Sequence, residues 1–116
     1  MINFLTPFNK LGEVGLIMVK GYKLDENYVY FNTLQLKDHD ILSSYKYKWR
    51  LCYNVGYNCY WLVKNYRTKK ELLDDFENTK IAVLRNYEEN EKVKRTIRER
   101  LEQIIKGLDY DGIFKN

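Results

Sequence analysis

At 116 residues, with a formal charge of +4, 45% hydrophobic and 31% charged residues, the chain suits one domain with a modest core and is too mixed in composition to be disordered or fibrous. Its two cysteines do not make a disulfide scaffold and are expected to be free thiols, and its longest aliphatic run, Leu16 to Val19, is far too short to span a bilayer.

The opening stretch, MINFLTPFNK, has neither the charged lead nor the apolar run of a secretory signal, so a soluble, cytoplasmic protein is expected. Val14 to Lys20 and Tyr28 to Leu36 are rich in β-branched, aromatic and aliphatic residues, and the GYKLDEN between them has loop chemistry, which predicts a first hairpin. Lys37 to Ser44 connects it to a second. His39 sits there between Asp38 and Asp40, but neighbours in an extended segment point apart, so the triplet reads as loop surface and no metal site is expected.

The second hairpin begins at Tyr45, where the alternation is plain. Tyr45, Tyr47, Trp49, Leu51 and Tyr53 share one parity; Lys46, Lys48, Arg50, Cys52 and Asn54 share the other. A turn centred on Val55-Gly56 would set Trp49 opposite Leu62, Arg50 opposite Trp61, Leu51 opposite Tyr60 and Cys52 opposite Cys59. One face would then be apolar and the other basic with an exposed Trp61.

After Tyr66 the period changes. Thr68-Lys69-Lys70-Glu71 matches a capping box, so a helix is predicted from about Lys69, with Leu72, Leu73, Phe76, Val83, Leu84 and Tyr87 as its apolar stripe. Val93, Ile97, Leu101, Ile104, Ile105 and Leu108 form a second amphipathic stripe, closed near Gly107. The two stripes fit either one long helix or a pair bent near Glu88 to Glu91. Ile113 and Phe114 in the tail return to the core or to a sheet edge. The predicted architecture is α+β: one domain over 1–116, mainly β over 1–66 and mainly α over 68–108, with an antiparallel sheet of about four strands in two hairpins packed on one or two C-terminal helices.

No catalytic set emerges, and no enzyme activity or cofactor is expected. Walker and dinucleotide-binding loops are absent, and no nucleophile has a second histidine to activate it. Glu71, Asp74 and Asp75 read as acids at the positive end of a helix dipole. Lys92, Lys94, Arg95, Arg98 and Arg100 read as an exposed helix face. The most informative feature is the acid-free block from Ser43 to Lys70. Its cations could neutralise phosphates and its exposed rings could stack on unpaired bases. Lys46, Lys48, Arg50, Trp61, Lys64, Arg67 and Lys69 are the candidate binding residues.

Residues 47–77, through Trp49, Tyr66 and Thr68-Lys69-Lys70-Glu71, resemble the three-stranded arm-site-binding domain of phage tyrosine recombinases. The resemblance implies a sheet docked in the DNA major groove, with Lys46, Lys48 and Arg50 on phosphates or base edges. The usual glycine-rich turn and any catalytic recombinase region are missing. Heavy use of Lys, Asn, Tyr and Ile is what AT-rich coding produces, in keeping with a phage or mobile element. The expectation is a small non-enzymatic protein that binds nucleic acid or a nucleoprotein complex through the second hairpin. The alternative is an anti-CRISPR-like inhibitor with a host nuclease complex as its protein target.

Overall fold

Residues 2–10, which carry no clear strand signal in the sequence, form the first strand. A computed structural model describes residues 1–11, 13–39 and 46–107. Asp40, Tyr45, Leu108, Ile113 and Phe114 lie outside the described residues. Five strands follow one another: β1 (Ile2–Lys10), β2 (Glu13–Lys23), β3 (Tyr28–Asn32), β4 (Trp49–Gly56) and β5 (Cys59–Tyr66). A 3-10 turn (Thr33–Leu36) follows β3. Helix α1 (Lys69–Val83), a π-helical turn (Leu84–Glu88) and helix α2 (Glu91–Gly107) complete the order. Among the described residues no helix is long and apolar enough to cross a membrane.

The α+β class and the C-terminal helices are as expected, but the sheet has five strands and closes into a barrel. Each strand pairs antiparallel with the next. After four reversals β5 runs in the direction of β1, so the closing pair has to be parallel, and it is. Closure brings together the two edges that an open meander would leave apart, through the pair Leu5 with Cys59.

Closure also gives the strands two apolar faces. Inside lie Phe4, Val19, Val29, Phe31, Leu36, Cys52 and Tyr60, with Phe4 edge-on to Phe31 (5.7 Å between centroids) and to Tyr60 (5.1 Å). Outside, Tyr28, Tyr30, Leu51 and Tyr66 pack against Leu72, Phe76 and Val83 of α1. A smaller cluster joins Leu5 and Cys59 to Leu101 and Ile105 of α2. Burial pushes both thiols up to about 12, which leaves Cys52 and Cys59 as poor nucleophiles at neutral pH.

The β4–β5 register differs from the expected one. The turn is Tyr57-Asn58, with φ of 56° and 54°, the doubly left-handed geometry whose twist matches a two-residue hairpin. Gly56, at φ 101°, is the strand residue before it. Trp49 therefore pairs with Tyr66, Arg50 with Asn65, Leu51 with Lys64 and Cys52 with Leu62, with irregularities after Leu51 and Asn54. Cys52 does not face Cys59.

The helical region is a bent pair, not one long helix. Thr68 caps α1, its hydroxyl accepting the Glu71 N–H at 3.1 Å, as the local motif predicts. Asn90, which would have been a polar residue on the seam of a continuous helix, accepts the Val93 N–H at 3.2 Å at the start of α2.

Candidate functional site

The barrel closes the hairpin's basic face. Arg50 shares the inward parity of Cys52 and is only 3% exposed, with its Nε donating to Asn65 Oδ1 at 3.0 Å. The opposite parity, Trp49, Leu51 and Tyr53, packs on the cluster beneath α1. Neither face of β4–β5 is open in the way a sheet docked in a DNA groove requires, which corrects the geometry implied by the recombinase resemblance. Trp61 is half-buried and separated from the lysines; with Arg50 it lines a cavity beside α2.

The remaining cations meet at one end of the barrel, where several strand ends converge. Trp49 with Tyr66 is the outermost β4–β5 pair, so Lys48 and Arg67 leave the ladder side by side. The 46–48 segment is tied to the 3-10 turn: Lys48 O accepts the Thr33 N–H at 2.8 Å and Tyr47 O accepts the Thr33 hydroxyl at 2.9 Å. Lys20 joins from β2 through the Gln35 amide, which receives its N–H at 2.8 Å and donates to its carbonyl at 2.7 Å. Lys46, Lys48, Arg67 and Lys69 are all exposed.

Two tyrosines accompany these charges. Tyr47 is 39% exposed with the Lys46 ammonium 5.7 Å from its ring centroid, and Tyr22 is 41% exposed and stacked on Tyr30 at 5.1 Å. The Lys69 ammonium lies 5.4 Å from the Tyr22 ring and 5.9 Å from Tyr30. Lys20 and Tyr22 were not among the sequence candidates, because nothing local in β2 shows that Tyr22 meets the start of α1 or that Lys20 is tied to Gln35.

Lys64 is placed differently. It bonds Asp75 at 2.9 Å, and the same carboxylate accepts the Tyr66 hydroxyl at 2.7 Å and the Thr79 hydroxyl at 2.8 Å. The Tyr66 bond above all, with those from Lys64 and Thr79, holds the Asp75 carboxyl down at about 2. Lys70 is likewise held by Asp74 at 2.6 Å. Among the described residues, no ion pair engages Lys20, Lys48 or Arg67.

A depressed carboxylate stabilises the fold fully above its unfolded pKa, near 4, and loses that contribution as pH falls towards 2. Wild type is therefore expected to exceed Asp75→Asn in stability at pH 7, with the gap closing on acidification to pH 2. Solvent screening at a side chain 31% exposed brings the difference to about 1 kcal/mol. Urea midpoints across that range check it; a gap that widens in acid contradicts the network.

His39 is exposed and packs edge-on to Phe8 at 5.6 Å, and the described residues hold no cluster of potential metal ligands. On α2, Lys92, Arg95, Arg98 and Arg100 are exposed, and Lys94 pairs with Glu91 at 3.7 Å. No family model, curated protein or solved structure matches the chain.

Proposed function

We propose that the protein binds single-stranded nucleic acid at the barrel end formed by Lys20, Lys46, Lys48, Arg67 and Lys69, with Tyr22 and Tyr47 as stacking planes. The observation that supports this reading is the stitching of three chain segments into one rim, which sets exposed cations beside exposed rings. Cations track a phosphate backbone, and a tyrosine face accepts any unpaired base. A duplex suits the rim less well, since among the described residues no helix or β-ribbon with a free face projects from it.

Fluorescence anisotropy with a labelled oligonucleotide, titrated against salt, tests the reading. Five phosphate contacts predict a log–log slope of about −3.5 for a single strand. Reversing Lys48 and Arg67 together to glutamate should flatten the slope by about 1.4 and weaken binding at least about tenfold at low salt. Affinity indifferent to both salt and the double reversal would remove the proposal.

A further inference from the structure

Helix α2 docks on the barrel through its C-terminal half. Its apolar stripe runs through Val93, Ile97, Leu101 and Ile105, and the last two are buried with Leu5 and Cys59. Ile97, one turn before Leu101, is half-buried and lines a hollow of about 350 Å³ between this part of the helix and the Val55–Gly56 end of β4. The break between the helices opens that space. The π-helical turn Leu84–Glu88 keeps Tyr87 packed on the α1 cluster, and α2 restarts from the Asn90 cap.

The walls of the hollow are of two kinds. Tyr53, Val55, Tyr87 and Ile97 make an apolar side. Asn27 and Asn54 bring side-chain amides, and Lys94 and Arg98 bring charge. The amides are held in place from behind. Asn54 N–H donates to Asn27 O at 2.8 Å, which ties the β2–β3 loop to β4. Asp25 fastens the same loop, its Oδ1 accepting the N–H groups of Asn27 at 2.9 Å and Tyr28 at 3.1 Å while its Oδ2 pairs with Lys80 of α1 at 2.9 Å. Asn54 Oδ1 accepts the Gly56 N–H at 2.9 Å, so its amide nitrogen is directed to donate elsewhere.

Positive charge prevails here. None of the described residues that line the hollow is acidic. Glu88 is engaged by the hydroxyls of Tyr28, at 3.3 Å, and Tyr53. Glu91 meets Lys94 at 3.7 Å, a long pair whose carboxylate is 88% exposed and therefore weak. Among the described residues no ion pair engages Arg98. Lys94 and Arg98, one turn apart, also border an adjoining hollow with Lys92 and Arg95, which gathers four cations around the single acid Glu91.

We infer that the hollow between β4 and α2 is a binding site for one nucleoside monophosphate. The base lies against Tyr87 and Ile97 with its edge towards the Asn27 and Asn54 amides, and the phosphate meets Arg98 and Lys94. A carboxamide presents a donor beside an acceptor, the pattern a base edge carries. Arg98 offers a fork of donors matched to phosphate, and Lys94 a point charge. The volume lies near the lower bound for a small-molecule site, which suits one nucleotide and not a chain. A bare phosphate would leave the apolar wall uncovered, and a neutral nucleoside would make no use of the cations. The site shares no residue with the rim and sits at the Gly56 end of β4, whereas the rim adjoins Trp49.

Calorimetric titration of the full chain with adenosine monophosphate, uridine monophosphate, their nucleosides and ribose phosphate tests the inference. At least one of the two nucleotides should bind below millimolar concentration. Its nucleoside and ribose phosphate should each bind at least about tenfold more weakly. Arg98→Ala alters an exposed side chain, so circular dichroism should be unchanged while affinity falls about tenfold. Lys106→Ala removes the same charge from the same helix about two turns further on, and should leave affinity as it was. The assignment is overturned if neither nucleotide binds at millimolar concentration, if ribose phosphate binds as tightly as the nucleotides, or if Arg98→Ala loses no more affinity than Lys106→Ala.

Discussion

Gly21→Ala should lower unfolding stability by about 3 kcal/mol and the melting temperature by about 10 °C, although it adds a single methyl group. A Cβ at this position would lie 2.5 Å from the carbonyl oxygen of Tyr30, 2.7 Å from Phe4 Cε1 and 3.1 Å from Phe31 Cβ. The first of these is backbone, fixed by the β2–β3 pairing of Tyr22 with Tyr30 and Lys23 with Val29. The second is a ring held edge-on by both Phe31 and Tyr60 at the centre of the barrel. Neither neighbour can withdraw alone, so the added carbon has to push β2 away from β3. Gly15→Ala supplies the comparison. Its Cβ would meet only the far end of the Phe8 ring, at 2.8 and 2.9 Å, and that half-buried side chain can rotate. Urea denaturation followed by circular dichroism should separate the pair clearly. Equal losses, or a Gly21→Ala loss below about 1 kcal/mol, would mean that the barrel interior is not closed as described.

The contrast between those glycines illustrates which parts of the fold were legible in the sequence. Local chemistry could be read in part: the Thr68 cap, the change of period after Tyr66 and the alternation from Trp49 to Asn54 correspond to the structure, whereas the strand begins at Trp49 and leaves Lys46 to Lys48 outside it. Parity, however, says which residues share a face, not which face is inside. Trp49, Leu51 and Tyr53 were expected on a single core, whereas a closed sheet with helices against it buries both faces, and the polar parity carries Arg50 inward to Asn65. The hairpin register was misplaced for a related reason. Glycine is the strongest positive-φ signal, yet here Tyr57 and Asn58 take the turn and Gly56 precedes it. Strand β1 was hidden by its proline and asparagines. Pro7 is tolerated because the N–H it lacks would have faced β5 beyond the Leu5–Cys59 pair, where the described ladder has ended. The closing pair of Leu5 with Cys59, and the meeting of Tyr22 with Lys69, join residues more than forty positions apart. No local pattern encodes such contacts.

Leu51→Ala should destabilise the protein by about 4 kcal/mol, towards the upper end of the range for such truncations. Leu51 is 0% exposed and sits where α1 meets the outer face of the barrel, among Tyr28, Tyr30, Tyr66, Leu72, Phe76 and Val83. The cost of a cavity depends on whether its walls can relax into it, and these walls are tethered. The Tyr66 hydroxyl is held by Asp75 at 2.7 Å and lies 2.9 Å from that of Thr79. The Tyr28 ring is packed against Phe76 and Tyr53, at 5.2 Å from each, and its hydroxyl donates to Glu88 at 3.3 Å. Moving either ring inward would break hydrogen bonds that anchor its far end, so the void stays open. Ile81→Ala, on the exposed side of the same helix, should cost less than about 0.5 kcal/mol. Chemical denaturation of both variants gives the comparison, and amide exchange in Leu51→Ala should show α1 losing protection before the barrel interior does. If the Leu51 variant proves nearly as stable as the Ile81 one, α1 does not dock on this face. The position of Lys69 over Tyr22 and Tyr30, and with it the proposed rim, would then fall together, because both depend on where α1 begins.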